Sequence, residues 1–106
     1  MANARKKGHG FEREVANLLK PLFPNAKRHL EYQKEDCKGF DLDNTGKIKI
    51  QCKRGRKYAP LSKIKEPVCE QGEIPALVTK GDRERPVIAF YLDDWIELMQ
   101  EAQSGR

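Results

Sequence analysis

Long apolar runs are missing from this chain. No stretch approaches the roughly 20 residues that a membrane span requires, and the opening residues carry no apolar signal region. Both absences predict a cytoplasmic protein. Cysteine is scarce: Cys37, Cys52 and Cys69 are an odd set with no Cys-x-x-Cys spacing, which argues against a disulfide framework and suits a reducing compartment. A zinc site drawn from Cys37, Cys69, His9 and His29 lacks any recognisable ligand spacing. Repeats and low-complexity segments are also absent. At 106 residues the chain predicts one domain, spanning 1–106, with a flexible basic arm at 1–7 and a frayed tail at 104–106. So short a chain buries a modest fraction of its surface, and a dimer interface would help to stabilise it.

What the chain has in plenty is charge, 35% of its residues, unevenly placed. Residues 1–60 hold 15 Lys/Arg against 7 Asp/Glu, a net +8, whereas residues 61–106 hold 6 against 9, a net −3. A basic half of this kind favours a polyanion, and nucleic acid is the commonest one.

Apolar spacing supplies the elements. Phe11, Val15, Leu18, Leu19 and Leu22 form a helical stripe that Pro21 and Pro24 end near Leu19 or Lys20. Glu12 and Glu14 flank this stripe about equally, so the helical wheel does not choose between them. A short strand is expected around Arg28–Tyr32, then a polar loop, 34–39. Leu61 to Gln71 predicts a helix interrupted at Pro67 and closed by Gly72. Residues 76–80 and 87–91 predict strands, the second buried. Asp93 or Asp94 is expected to cap a last helix from Trp95 to about Ala102, with Trp95, Leu98, Met99 and Ala102 on one side. That side either covers the sheet or forms an interface.

The stretch from Phe40 to Lys53 organises the rest. Asn44-Thr45-Gly46 has turn chemistry between two strands. Beyond it Ile48, Ile50 and Cys52 alternate with Lys47, Lys49, Gln51 and Lys53, so the first set faces a core and Gln51 and Lys53 point together to the other side. Phe40 and Leu42 are expected to face the core, leaving Asp41 to approach Gln51 and Lys53. An acid, an amide and an amine on one face suit metal-assisted chemistry on phosphate.

Asp41 followed by Gln51-Cys52-Lys53 resembles the PD-(D/E)xK nuclease signature. Gly10-Phe11-Glu12-Arg13-Glu14-Val15 is similar to the first-helix motif of archaeal-type Holliday junction resolvases, including viral homologues. The resemblance covers the first half of the chain by motif and the second by element order. It implies an α/β fold, a restriction-endonuclease-like sandwich with a central mixed β-sheet flanked by helices, in an archaeal, bacterial or virus-infected cell. It also implies a metal-dependent endonuclease selective for four-way DNA junctions, acting as a homodimer that makes paired symmetric nicks. Glu12, rather than Glu14, matches the family's helix acid.

On that pattern Glu12, Asp41, Gln51 and the backbone carbonyl of Cys52 would hold Mg²⁺, with Mn²⁺ able to substitute, and Lys53 would serve the attacking water. The family's usual acid at the triplet is replaced by Gln51, which removes one negative charge. Candidate phosphate contacts are Arg5, Lys6 and Lys7 in the arm, Arg13 beside Glu12, Lys34 and Lys38 in the loop, and Arg54, Arg56 and Lys57 in the densest basic run. A non-catalytic DNA-binding module with a degenerate site, and a less selective nicking or repair nuclease, are the alternatives.

Overall fold

The computed structural model describes residues 2–29, 39–63 and 69–105, and of residues 2–8 and 63 the backbone alone. In chain order the elements are α1 (Ala2–Leu18), β1 (Lys27–Arg28), β2 (Leu42–Asp43), β3 (Ile48–Arg54), β4 (Ile74–Lys80), β5 (Val87–Ala89) and α2 (Leu92–Ser104), with a 3₁₀ turn at Leu61–Lys63. The architecture is mixed α/β. Strands β3 and β4 are parallel, β5 runs antiparallel to β4, and β1 and β2 form a separate antiparallel pair.

The parallel step follows from length. After β3 the chain travels through residues 55–73 before pairing again, long enough for the crossover that two parallel strands need. Register sets Ile50 beside Ala76 and Cys52 beside Val78, so one sheet face is apolar. Helix α1 covers that face with Phe11, Val15 and Ala16, and Leu42 and Ala26 complete the cluster. The turn between β2 and β3 has the expected chemistry, with Asn44 and Gly46 both at positive φ, 64° and 61°, but the strands it joins do not pair as the expected hairpin: β2 pairs with β1, and β3 with β4. The Thr45 hydroxyl donates to the Ile48 carbonyl at 2.6 Å and fixes the turn from inside.

Several expectations need correction. Helix α1 starts at Ala2, so its backbone takes in the basic segment expected to be a flexible arm; Ala2, Ala4, Arg5, Lys6 and Lys7 are all good helix formers. Helix α2 starts at Leu92, with Tyr91 as N-cap and no side-chain cap bond; Asp93 and Asp94 lie in the first turn, where the helix dipole still favours them. At its far end α2 reaches Ser104, and the Gly105 amide bonds the Glu101 carbonyl at 3.0 Å, so the helix extends into the expected tail. Among the described residues β5 pairs with β4 alone, and Val87 and Ile88 are exposed instead of buried. Phe40 does not join the core: it lies against His29, centroids 5.1 Å apart, and under the Lys49 ammonium. Of the helix expected at 61–71, Leu61–Lys63 form the 3₁₀ turn, residues 64–68 lie outside the described residues and 69–71 are not helical; Gly72 after it does take a positive φ.

Candidate functional site

The site begins with the placement of α1. Because its stripe lies on the sheet, the residue after Phe11 turns toward the β1–β2 side and Glu12 becomes buried, 7% exposed. Glu14 falls on the outer side, half-exposed, 3.8 Å from the Lys80 ammonium. The packing therefore separates the two acids that the helical wheel leaves equivalent. The Glu12 carboxylate meets Arg28 of β1, with Oε2 3.3 Å from Nε and both side chains largely out of water. A buried carboxylate kept ionised needs such a partner.

Asp41 sits just before β2, tied by its backbone on both sides. Its amide donates to the Ile50 carbonyl at 2.8 Å, and its carbonyl accepts the His29 amide at 2.8 Å. Its carboxylate turns toward β3, where Oδ2 accepts the Cys52 amide hydrogen at 2.8 Å. The side chain thus sits where a strand partner would, and its position is fixed by the β3 backbone. Two residues on, Asp43 Oδ1 lies 2.7 Å from His29 Nδ1.

Cys52 reports how these groups converge. Its thiol is pushed well above the ordinary range, first by burial and then by the nearby charges of Asp41 and Glu12. A helix acid and a strand acid therefore act on the same point of β3. The expectation put Asp41 beside Gln51 and Lys53; the structure aims it at the residue between them. Gln51 is buried on the other face of the sheet, 5% exposed and in register with Leu77, while Lys53, in register with Thr79, is exposed.

The candidate phosphate contacts divide. Arg56 and Lys57 are exposed. Arg54 is engaged: Nη1 lies 3.0 Å from Asp82 and donates to the Gly55 carbonyl at 2.5 Å, which turns it toward the β4–β5 loop. Tyr58 donates its hydroxyl to the Arg85 carbonyl at 2.8 Å. Arg13 is exposed and takes no part in the Glu12 pair, a role that Arg28 fills. Arg5, Lys6 and Lys7 lie on the first turns of α1, with only their backbone described, and Lys34, Lys38 and Cys37 fall outside the described residues. Among the described residues no three His, Cys, Asp or Glu side chains gather as a metal cluster, and no helix is long and apolar enough to cross a membrane.

Compared with protein-family models, with curated proteins and with solved structures, the chain matches none of them. The site must therefore be read from its own chemistry. Arg28 is the residue that sequence reasoning missed. Its signal was available in the short strand expected at Arg28–Tyr32, since a strand beside Asp41 sets its first residues against α1.

Proposed function

We propose that this chain is a metal-dependent, structure-selective DNA endonuclease with a restriction-endonuclease-like sandwich fold, resolving four-way junctions by paired symmetric nicks. The observation that carries the reading is the convergence of Asp41, from the bend before β2, on the Cys52 amide, with the charge of Glu12 from α1 acting on the same residue between Gln51 and Lys53. The order helix acid, strand acid and strand lysine is that of the PD-(D/E)xK signature.

The oxygens on the α1 side of β3 would suit Mg²⁺ or Mn²⁺: the carboxylates of Glu12 and Asp41 and the Cys52 carbonyl are hard donors, whereas the Gln51 amide, buried on the other face of the sheet, stands apart from them. When bound, the ion supplies Lewis acidity at the scissile phosphate. The chain's own residues do the rest. Arg28 holds Glu12 in place. The Cys52 amide fixes the Asp41 carboxylate. The Lys53 ammonium orients the attacking water and offsets the charge that develops on the phosphate. Exposed Arg56 and Lys57 hold the DNA backbone without reading its sequence. Two symmetric nicks require two sites, so the proposal includes a two-fold dimer, with the second copy on the exposed apolar side of α2.

A second reading is favoured by one observation. Gln51 leaves the site a charge short and Arg28 neutralises another, which is what a module that binds DNA without cutting it would tolerate. Cleavage of a synthetic four-way junction beside a matched duplex, in Mg²⁺ and in EDTA, separates the two. Paired nicks that need Mg²⁺ and fall at least about a hundredfold in Asp41→Ala and Lys53→Ala are expected. Tight junction binding without cutting, across Mg²⁺ and Mn²⁺ concentrations, would establish the non-catalytic module instead.

A further inference from the structure

Behind Glu12, on the outer side of α1, lies a concave site of about 240 Å³ lined by Arg13, Ala16, Asn17, Lys20, Ala26, Lys27 and Arg28. Four of these seven residues are cations, and no acidic side chain lines it. The arrangement is built by two elements. Arg13, Asn17 and Lys20 stand at i, i+4 and i+7, one stripe of α1 and the turn that ends it. Lys27 and Arg28 come from β1, brought alongside by the turn at residues 19–26. Ala16 and Ala26 are buried, 3% and 1% exposed, and their small side chains leave the space between the cations open. The Lys20 ammonium donates to the Ala26 carbonyl at 2.9 Å, which fastens the rim. Glu12 is the nearest acid and engages Arg28 through Nε, the inner nitrogen of its guanidinium.

We infer that this pocket is a phosphate seat, separate from the Arg54–Lys57 run, that holds a backbone phosphate of the bound nucleic acid. That the phosphate is DNA's rests on the function proposed above; that the pocket takes a phosphate does not. Guanidinium and ammonium donors from a helix and a strand, together with the Asn17 amide, match a tetrahedral anion's oxygens. Arg28 belongs to both places: it closes the pocket and braces the acid at the candidate centre. A phosphate seated here registers the DNA against Glu12 without reading a base.

Lys20 and Lys27 are exposed, so Lys20→Gln/Lys27→Gln removes charge and leaves the core alone. Two measurements on the full chain test the seat. In ¹⁵N NMR, inorganic phosphate should produce saturable shifts at the amides of Asn17, Lys27 and Arg28, and the double variant should lose them. With duplex and four-way-junction DNA at low salt, the double variant should bind about tenfold more weakly, and its slope of log K against log salt should fall by about two. Arg56→Gln/Lys57→Gln should leave the phosphate shifts unchanged. Wild-type DNA binding with an unaltered slope in Lys20→Gln/Lys27→Gln overturns the seat and leaves the nuclease proposal standing. Phosphate shifts in a protein that binds no DNA keep the seat and reject DNA as its source. The absence of saturable shifts in the wild type rejects the seat outright.

Discussion

Helices α1 and α2 are both amphipathic, yet the molecule uses them differently. From Phe11 onward α1 is occupied on three sides: Phe11, Val15 and Ala16 fill the core, Glu12 pairs with Arg28, and Arg13, Asn17 and Lys20 line the basic pocket, while Leu18 stays exposed. Helix α2 buries none of its residues. Leu92, Trp95, Ile96 and Met99 are all exposed, and with Leu19, Phe23, Ile88 and Phe90 the helix borders an apolar groove of about 360 Å³. The difference teaches that an apolar stripe foretells a helix with one greasy side but not what lies against it. For α1 the occupant is the sheet. For α2 the sheet is only partly in reach, and the side remains exposed.

The sharpest way to test this contrast is to truncate one anchor on each helix. Phe11→Ala empties a core position and should lower stability by about 3–5 kcal/mol in urea denaturation. Trp95→Ala should cost about 1 kcal/mol or less at concentrations where the chain is a monomer, while shifting sedimentation toward the monomer where it is a dimer. Equal losses from the two substitutions would show that α2 belongs to the core after all.

Next in size is the Glu12–Arg28 pair. Arg28→Ala leaves a buried carboxylate without its counter-ion and should cost about 3 kcal/mol. Glu12→Gln placed in the same chain should return part of that loss. Glu14→Gln, on the outer side of the same helix, should change stability by about 0.5 kcal/mol or less, since its partner Lys80 is distant and the pair half-exposed. Similar losses at positions 12 and 14 would remove the distinction on which the candidate site rests.

The Cys52 thiol gives a smaller, pH-dependent effect. Burial and then the charges of Asp41 and Glu12 keep it protonated in the folded chain, whereas in the unfolded chain it ionises near 9.0. Its contribution to stability is therefore complete below pH 9 and declines as the pH rises above that value. Iodoacetamide at pH 8.5 should leave Cys52 largely unmodified in native protein. Asp41→Ala should speed its modification several-fold, as removal of a neighbouring negative charge lowers the thiol's pKa. Fast labelling of wild-type Cys52 would contradict the convergence of the two acids.

The sequence carried much of this structure, unequally. The β2–β3 turn was legible because Asn44 and Gly46 advertise positive φ, and β3 because its alternation survives in the burial of Ile50 and Gln51 on opposite faces. The approach of Asp41 to β3 followed from the turn that folds the chain back, although β2 pairs with β1 and not with β3. Its aim at the Cys52 amide did not, because a two-residue strand and the bend before it turn the side chain in a way that periodicity does not encode. Charge density along the chain misled in one place: Arg54 belongs to the densest basic run yet is engaged by Asp82. The pocket cations are scattered between residues 13 and 28, and only the fold gathers them.

The weakest link between the two regions completes the comparison. Lys47, in the turn before β3, forms an ion pair with Glu101 near the end of α2, and both side chains are substantially exposed. An exposed pair of this kind is worth roughly 0.5 kcal/mol and is screened by salt. A double-mutant cycle on Lys47→Ala and Glu101→Ala should therefore give a small coupling in low salt that falls below measurement near 1 M NaCl. Such a value fits a helix lying on the sheet's margin with its apolar side unconsumed. A coupling above about 1.5 kcal/mol that resists salt would mean that the pair is drier than its exposure indicates. Helix α2 would then be held to the sheet as firmly as α1, and its outward side would no longer be free to receive a second copy.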